Sequence, residues 1–485
     1  MRGTGGPWHC FVSLGILFLV GCGGCNNGEG ENPEGDPNAK PFAGLSIDVA
    51  VPAIGDLESV WQKDLSEWSF QNGTEHRVKG YNLPEDGGRF VDAVADLSQD
   101  GKEWPEVLLV PWAAVPELIA AGALAEIPDP LKDKAQLNWL GYFSGLRNGA
   151  ATLAGKPRVI PVSCPVLVCY YRQDLLEKAG LEPPDTWADY QQLLETSSEW
   201  APNLTAAEPW GEPFRASMFL ARAASVAKHP EQYSFCFDLI AGDPLIDNPG
   251  FVEALAQSRA ALARMPEAVK NYSPDDCRRE FLAGRAALAI GYETGRNQDV
   301  TRSEDLQVGI CRLPGSRRIY NTAINEWVEF GEDDVHRVTF TGFTGWMLGV
   351  SGGLDETRTS AAWELARYMA IDQLPASYPR EMLSPCRDSQ TQSPTEWTGT
   401  NLTTSESEQY VAAVREALQT DQLAMELPLL GRAKFRAALT KGLSEALKSE
   451  TDAQVILSNV AKDWREIANQ LGKEKVAKSY QQSLE

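Results

Sequence analysis

Histidine is scarce: the 485 residues contain four, at positions 9, 76, 229 and 336, too scattered to suggest a histidine-built metal centre. Each reads as a solvated or locally bonded side chain. Basic residues are outnumbered, with 44 Lys and Arg against 67 Asp and Glu and a formal charge of −23, which disfavours phosphate backbones and anionic lipid surfaces. Nucleic acid is therefore not an expected partner. Long apolar runs are missing too: the run Phe11 to Val20 has ten residues where a spanning helix needs about 20, and no later segment reaches that length. Any membrane attachment is then expected through lipid. Nine cysteines include six in the body (Cys164, Cys169, Cys236, Cys277, Cys311 and Cys386) without paired CxxC spacing, so no zinc site or disulfide framework is visible. No cofactor or metal is expected. His-Glu-x-x-His and phosphate-loop patterns are absent, and the acid pairs Asp275-Asp276 and Asp333-Asp334 read as solvated charge in polar loops.

What is present begins at the N-terminus. Arg2, a short apolar core and the string Leu19-Val20-Gly21-Cys22 read as an export signal over residues 1–21. The Leu-x-Gly-Cys ending resembles the lipobox of bacterial lipoproteins, which implies cleavage before Cys22 and a diacylglycerol on its thiol. Residues 22–41 are rich in Gly, Asn, Glu and Pro without apolar periodicity. Such a segment cannot bury enough surface to offset the entropy of ordering, and is expected to be a flexible tether between a membrane and a folded body.

The body of roughly 445 residues has room for two to three domains, and 43% hydrophobic residues allow substantial cores. It opens as strand then helix: Leu45, Ile47, Val49 and Val51 alternate, then Leu57, Val60, Trp61 and Leu65 fall at helical spacing. A second strand, Val107 to Val110, runs into Pro111-Trp112, and a short helix with Val115, Leu118 and Ile119 stops at Gly122. This alternation predicts mostly parallel sheets flanked by helices, with ligands at the carboxyl ends of strands. From Val159 to Tyr171 the chain is apolar and β-branched but broken by Pro161 and Pro165, which reads as extended chain crossing between domains. Gly180 should close a helix from Arg172 to Lys178, Thr186 should cap one from Trp187 to Thr196, and Pro249 should open another. A helix ending at Phe281-Leu282 precedes a strand at Ala286 to Gly291. Roughly the last 80 residues predict packing helices, one carrying Val455, Val460, Trp464 and Ile467 behind a capping box of Thr451 and Gln454.

Three stretches carry a resemblance. Residues 155–194 (GKPRVIPVSCPVLVCYYRQDLLEKAGLEPPDTWADYQQLL), 281–292 (FLAGRAALAIGY) and 342–370 (GFTGWMLGVSGGLDETRTSAAWELARYMA) resemble, in order and spacing, the extracellular solute-binding proteins of ABC importers, in the sugar-binding cluster that includes maltose-binding protein. The run from Ala437 to Leu484 is similar to the tail of a lipoprotein subgroup. The resemblance implies an α/β, two-lobe periplasmic-binding-protein fold of type II character, with parallel-rich sheets and a helical C-terminus. Its hinge would be crossed three times, near 157–164, 338–346 and 383–388. Residues 42–160 with 343–384 would form one lobe, and 161–342 with 385–485 the other. Residues 317–338 have no counterpart in the family pattern.

The implied function is a lipid-anchored receptor, a monomer without enzymatic activity, that captures a carbohydrate or polyol and delivers it to an ABC permease. A sugar presents apolar C–H faces and a rim of hydroxyls, so its site needs aromatic platforms flanked by hydrogen-bonding groups. The positions matching the family's cleft are Asp56, Trp112, Tyr171, Tyr292, Glu293 and Trp346. Trp112, Tyr171 and Trp346 are expected as platforms, with Trp210 as a fourth aromatic, and Asp56, Glu293 and Arg387 as polar partners. Trp187 and Trp464, on amphipathic helices, are expected in cores. Tyr170-Tyr171 also matches the adjacent tyrosines that bind ferric iron in some relatives of this fold, but strand geometry sends the two rings to opposite faces. A surface polysaccharide-acting enzyme and an anchored ligand sensor are the alternative functions.

Overall fold

Every residue of Ser46–Pro52 (β1) but the first is buried, on alternate sides of the strand, which requires cover on both faces of its sheet. Leu57–Asn72 (α1) supplies part of that cover through Leu57, Trp61, Leu65 and Trp68, and ends at Gly73 in the left-handed conformation. The computed structural model describes residues 40–84, 89–95, 97, 104–293, 300–342, 345–372, 378, 382–398, 401–421 and 423–485. The expected signal, Cys22 and all but the end of the tether lie outside these residues. Pro41–Glu485 is one compact unit.

Beyond α1 the chain runs through Glu75–Tyr81 (β2), Phe90–Ala95 (α2), Val107–Pro111 (β3) and Val115–Ala120 (α3). A small hairpin, Thr152–Leu153 (β4) and Lys156–Pro157 (β5), precedes Val159–Ser163 (β6) and Val168–Arg172 (β7). Then come Gln173–Ala179 (α4), Trp187–Glu195 (α5), Ser197–Trp200 (α6), Thr205–Ala207 (β8), Glu212–Ala227 (α7), Pro249–Leu262 (α8), Pro274–Leu282 (α9), Ala286–Gly291 (β9) and Val308–Arg312 (β10). A hairpin of Arg318–Asn321 (β11) and Glu326–Glu329 (β12) leads to Thr339–Thr341 (β13), Trp346–Val350 (β14) and Glu356–Arg367 (α10). The chain closes with Thr404–Leu418 (α11), Leu423–Met425 (β15), Arg432–Ala446 (α12), Ala453–Leu471 (α13) and Lys473–Gln482 (α14).

Two larger sheets organise these elements, in the orders β2-β1-β3-β14-β6 and β10-β7-β9-β8. The apolar stretch at 159–171 divides between them: β6 belongs to the first, β7 to the second, and Cys164 to Leu167 pass from one to the other. Parallel pairing joins β1 to β2 and β3, and β8 to β9, while β14 runs against both β3 and β6 and β7 runs against β9 and β10. Parallel strands are thus fewer than the alternation predicts. The reason for β14 is its entry point. Trp346, its first residue, pairs with Pro111, the last of β3, so the returning strand must descend the sheet that β3 climbs.

Local signals behave as the side chains dictate. Gly180 closes α4 with φ of 67°, Thr186 and Asp189 form a capping box on α5, and the Asn248 side chain accepts from the Gly250 and Phe251 amides at the start of α8. Two expectations are corrected. Asp452, not Thr451, caps α13, its carboxylate accepting from the Gln454 amide at 2.8 Å; a charged acceptor also suits the positive end of the helix. Asp275 and Asp276 lie in the first turn of α9 rather than in a loop, and Asp276 completes a capping box with Ser273. Residues 317–338 contain the β11–β12 hairpin, where Tyr320 faces Trp327 across the strands and Arg318 lies 4.5 Å over the Trp327 ring. Trp464 is fully buried between Phe237 and Phe435, and Trp187 beside Tyr190, so both are core residues.

Candidate functional site

Two of the expected ligand contacts are consumed by buried ion pairs. Trp210 is 0% exposed, and its indole Nε1 donates to Glu208 Oε2 at 2.8 Å while Arg222 Nη2 donates to Oε1 at 2.6 Å. Arg222 in turn lies 3.9 Å over the Trp187 ring. A carboxylate without solvent needs such donors, so Trp210 is a structural partner of Glu208 and not a platform. The Pro- and Gly-rich chain around Trp210 is tightly packed: a Cβ on Gly211 would sit 2.9 Å from the Tyr272 carbonyl. Glu293 is likewise 0% exposed and accepts from Arg278 Nε at 2.6 Å and from the Tyr170 hydroxyl at 2.8 Å. Burial raises Tyr170 far above the usual phenol range, with the Glu293 charge acting in the same direction, so the hydroxyl stays a donor.

The remaining expected contacts scatter. Tyr171 lies across Gly309 on the facing strand, half-buried against a second hydrophobic core, the one that holds Trp187, Trp210 and Trp464, and burial pushes its hydroxyl up to about 12. Tyr170 and Tyr171 thus part to opposite faces of the sheet, as strand geometry requires. Among the described residues no group of His, Cys, Asp and Glu could hold a metal ion. Tyr292 packs into the second core at 8% exposure. Asp56 is exposed at the start of α1, where its carbonyl accepts from the Ser59 hydroxyl at 2.8 Å. Arg387 stacks 5.0 Å over Tyr142. Gly349-Val350-Ser351-Gly352-Gly353 has the spacing of a nucleophile elbow, yet Ser351 is buried at the end of β14 with its hydroxyl committed to the Pro105 carbonyl.

Trp112 and Trp346 do meet. They line a cavity of about 310 Å³ with Leu83, Phe90 and Cys164 on the side of the first sheet. Trp112 is held at both ends: its amide donates to the Gly345 carbonyl at 2.7 Å, and its indole Nε1 to the Ala150 carbonyl at 3.0 Å. Both rings are nearly buried, at 6% and 7% exposure, so one face of each supplies wall and the rest is core. The opposite wall comes from β13 and α12: Thr341, Gly342, Arg432 and Arg436. A larger groove, about 790 Å³, lies beside α4, α5 and α6, where Glu182, Asp185, Asp189 and Glu199 line it within one sheet's helices rather than between the two sheets.

The second wall was not anticipated from sequence. Arg432 and Arg436 stand one helical turn apart, a spacing that puts both on one face, and they converge on Glu426 Oε1 at 2.8 and 2.6 Å. Glu426 is 0% exposed; its Oε2 takes the Ser217 hydroxyl and its amide donates to the Thr341 carbonyl at 3.0 Å. Burial pulls Arg432 down from its ordinary value and Glu426 opposes that shift, which keeps the guanidinium charged. Leu427, next to Glu426, has φ of 48° although it is a fully buried leucine. That conformation is costly for a branched residue and survives only where packing imposes it, as at sites that must aim a neighbouring group.

A family model described as bacterial extracellular solute-binding protein matches residues 56–325. The sugar-binding protein MalE from the phytopathogen Xanthomonas citri is similar over 88% of this chain and 98% of its own, at 16% identity and a TM-score of 0.64. A solute-binding protein of an ABC transporter from Agrobacterium radiobacter K84, in complex with ribitol, is similar over 88% and 100%, at 15% identity and 0.61. Maltose-bound MalE3 of T. maritima is similar over 87% and 100%, at 19% identity and 0.58. At these identities the likeness establishes the two-lobe α/β fold.

Proposed function

The chain belongs to the bacterial extracellular solute-binding proteins, and from that premise we propose that it captures a carbohydrate or polyol between two lobes and hands it to the permease of an ABC importer. The observation that carries this reading is the cavity in which Trp112 and Trp346, from one sheet, face Thr341, Arg432 and Arg436, from elements packed on the other. Flat aromatic surfaces suit the C–H faces of a sugar ring, and the polar wall suits its rim. Similar structures hold maltose and ribitol. The lobes are residues 42–160 with 343–384, and 161–342 with 385–485. Closure is favoured because ligand touches both lobes only in the closed state, so it shifts the hinge equilibrium by its differential affinity. The protein works as a monomer and carries out no covalent chemistry. A thermal-shift screen of residues 42–485 against mono- and oligosaccharides, polyols and ferric salts tests the reading, since a ligand at 100 times its Kd stabilises by about 2.7 kcal/mol. A sugar or polyol should raise Tm; stabilisation by ferric ion alone would sink the carbohydrate reading.

The family is exported, and Cys22 is the proposed lipid attachment point. Cys22→Ser should release the protein from the membrane fraction with the body still folded, because the acyl chains are the anchor and residues 22–41 insulate it from the fold. Metabolic labelling with a fatty-acid analogue reads this directly. Label retained in the variant would remove Cys22 from that role.

A further inference from the structure

We infer that the ligand is an anionic saccharide, one bearing a carboxylate or sulfate, an assignment that rests on the carbohydrate reading above and narrows it. A neutral sugar site must offer acceptors as well as donors, because every hydroxyl brings a proton to be bonded. Among the described lining residues there is no Asp, Glu, Asn or Gln, so the side-chain acceptors reduce to the Thr341 hydroxyl and the weak Cys164 sulfur. The charged groups are Arg432 and Arg436, with side chains 21% and 23% exposed. Glu426 neutralises only one of them and cannot reach a ligand, being 0% exposed, with Oε1 taken by both arginines and Oε2 by Ser217. Of the described residues in this wall, Arg432, Arg436 and the Glu426 behind them carry two positive charges against one negative.

Each guanidinium also keeps capacity in reserve. Arg432 spends Nε on the Glu426 carbonyl and Nη2 on its carboxylate; Arg436 spends Nε on Glu426 and Nη2 on the Pro213 carbonyl. Neither Nη1 has a partner among the described residues. Beside them Thr341, 3% exposed, lines the cavity with a buried Oγ1 that has no hydrogen-bond partner among the described residues. A buried hydroxyl left unpaired is costly, and a native site retains one when something else completes it. Two guanidinium donors and a hydroxyl donor, opposite two tryptophans, form a wall for an acceptor-rich anion attached to a ring with apolar faces. The positive wall is local, since the chain as a whole carries −23.

The test uses matched ligands. Oligogalacturonates and oligomannuronates are compared by calorimetric titration with their carboxyl-reduced counterparts, which keep the linkage and lose the charge; sulfated galactose oligosaccharides form a third arm that separates sulfate from carboxylate. One anionic series should bind about 10- to 100-fold tighter than the neutral one. The ratio should shrink as NaCl is raised from about 50 to 500 mM. Arg436→Met should cut it further. The ratio and its salt dependence need no variant, so a poorly folding Arg436→Met leaves the test intact. Neutral sugars binding as tightly as the anions would overturn the inference and leave the carbohydrate reading standing. If no saccharide of either kind binds while another solute does, both fall together.

Discussion

Arg278→Met is expected to cost the body about 3–5 kcal/mol of unfolding free energy, among the largest effects any single change should have here. Arg278 and Glu293 are both 0% exposed, and their bond of 2.6 Å is the only one Arg278 makes through its guanidinium: both Nη atoms are buried without a partner among the described residues. Removing the arginine takes the 2.6 Å guanidinium donor away from a carboxylate in the interior, while the Tyr170 hydroxyl at 2.8 Å stays. Arg278 is under-satisfied as it stands, with two buried Nη donors unused among the described residues, so the net worth of the pair is small. Replacing both partners, as Arg278→Met with Glu293→Leu, should therefore recover most of the loss. Denaturant melts of the two variants decide the matter. A single variant as stable as the parent would show that water reaches Glu293, and that its burial between β9 and α9 is not the constraint it looks.

That pair illustrates where sequence reading stops. Glu293 follows a strand end, the right place for a ligand contact, and nothing in sequence distinguishes a carboxylate facing a cleft from one turned inward on an arginine 15 residues earlier. Local elements were legible because their causes are local: alternation in β1, the Gly180 stop, the Thr186 cap and the proline-broken crossover all sit in a few consecutive residues. Trp112 and Trp346 were legible as well, since strand ends in an α/β sheet point to one rim. The second wall was not. Arg432 and Arg436, at helical spacing, look like any solvated face until the fold brings Glu426 beneath them, and Thr341 becomes distinctive only when its hydroxyl is seen without a partner. Direction of strand pairing was also out of reach, because β14 owes its antiparallel course to where the chain re-enters the sheet.

Trp346→Ala should fail twice, in binding and in folding. Reading the residue from its position alone, a cleft platform would lose affinity by about 1–3 kcal/mol with little change in stability. The structure alters the second half of that expectation. At 7% exposure, with its backbone laddered to both Pro111 and Ser163, Trp346 is wall and core at once, so truncation should also cost about 3–5 kcal/mol of stability. Trp112→Ala should behave alike and leave the Ala150 carbonyl without its indole donor. Phenylalanine separates the two roles. It keeps an apolar face toward the cavity and most of the packing, so Trp346→Phe should hold stability to within about 1.5 kcal/mol, as near-conservative core swaps do, while a smaller ring still weakens ligand contact. Calorimetric titration with the solute found by thermal shift, beside a denaturant melt of each variant, reads both quantities. If both alanine variants melt early yet bind that solute as tightly as the parent, the tryptophans are core alone and the ligand sits elsewhere.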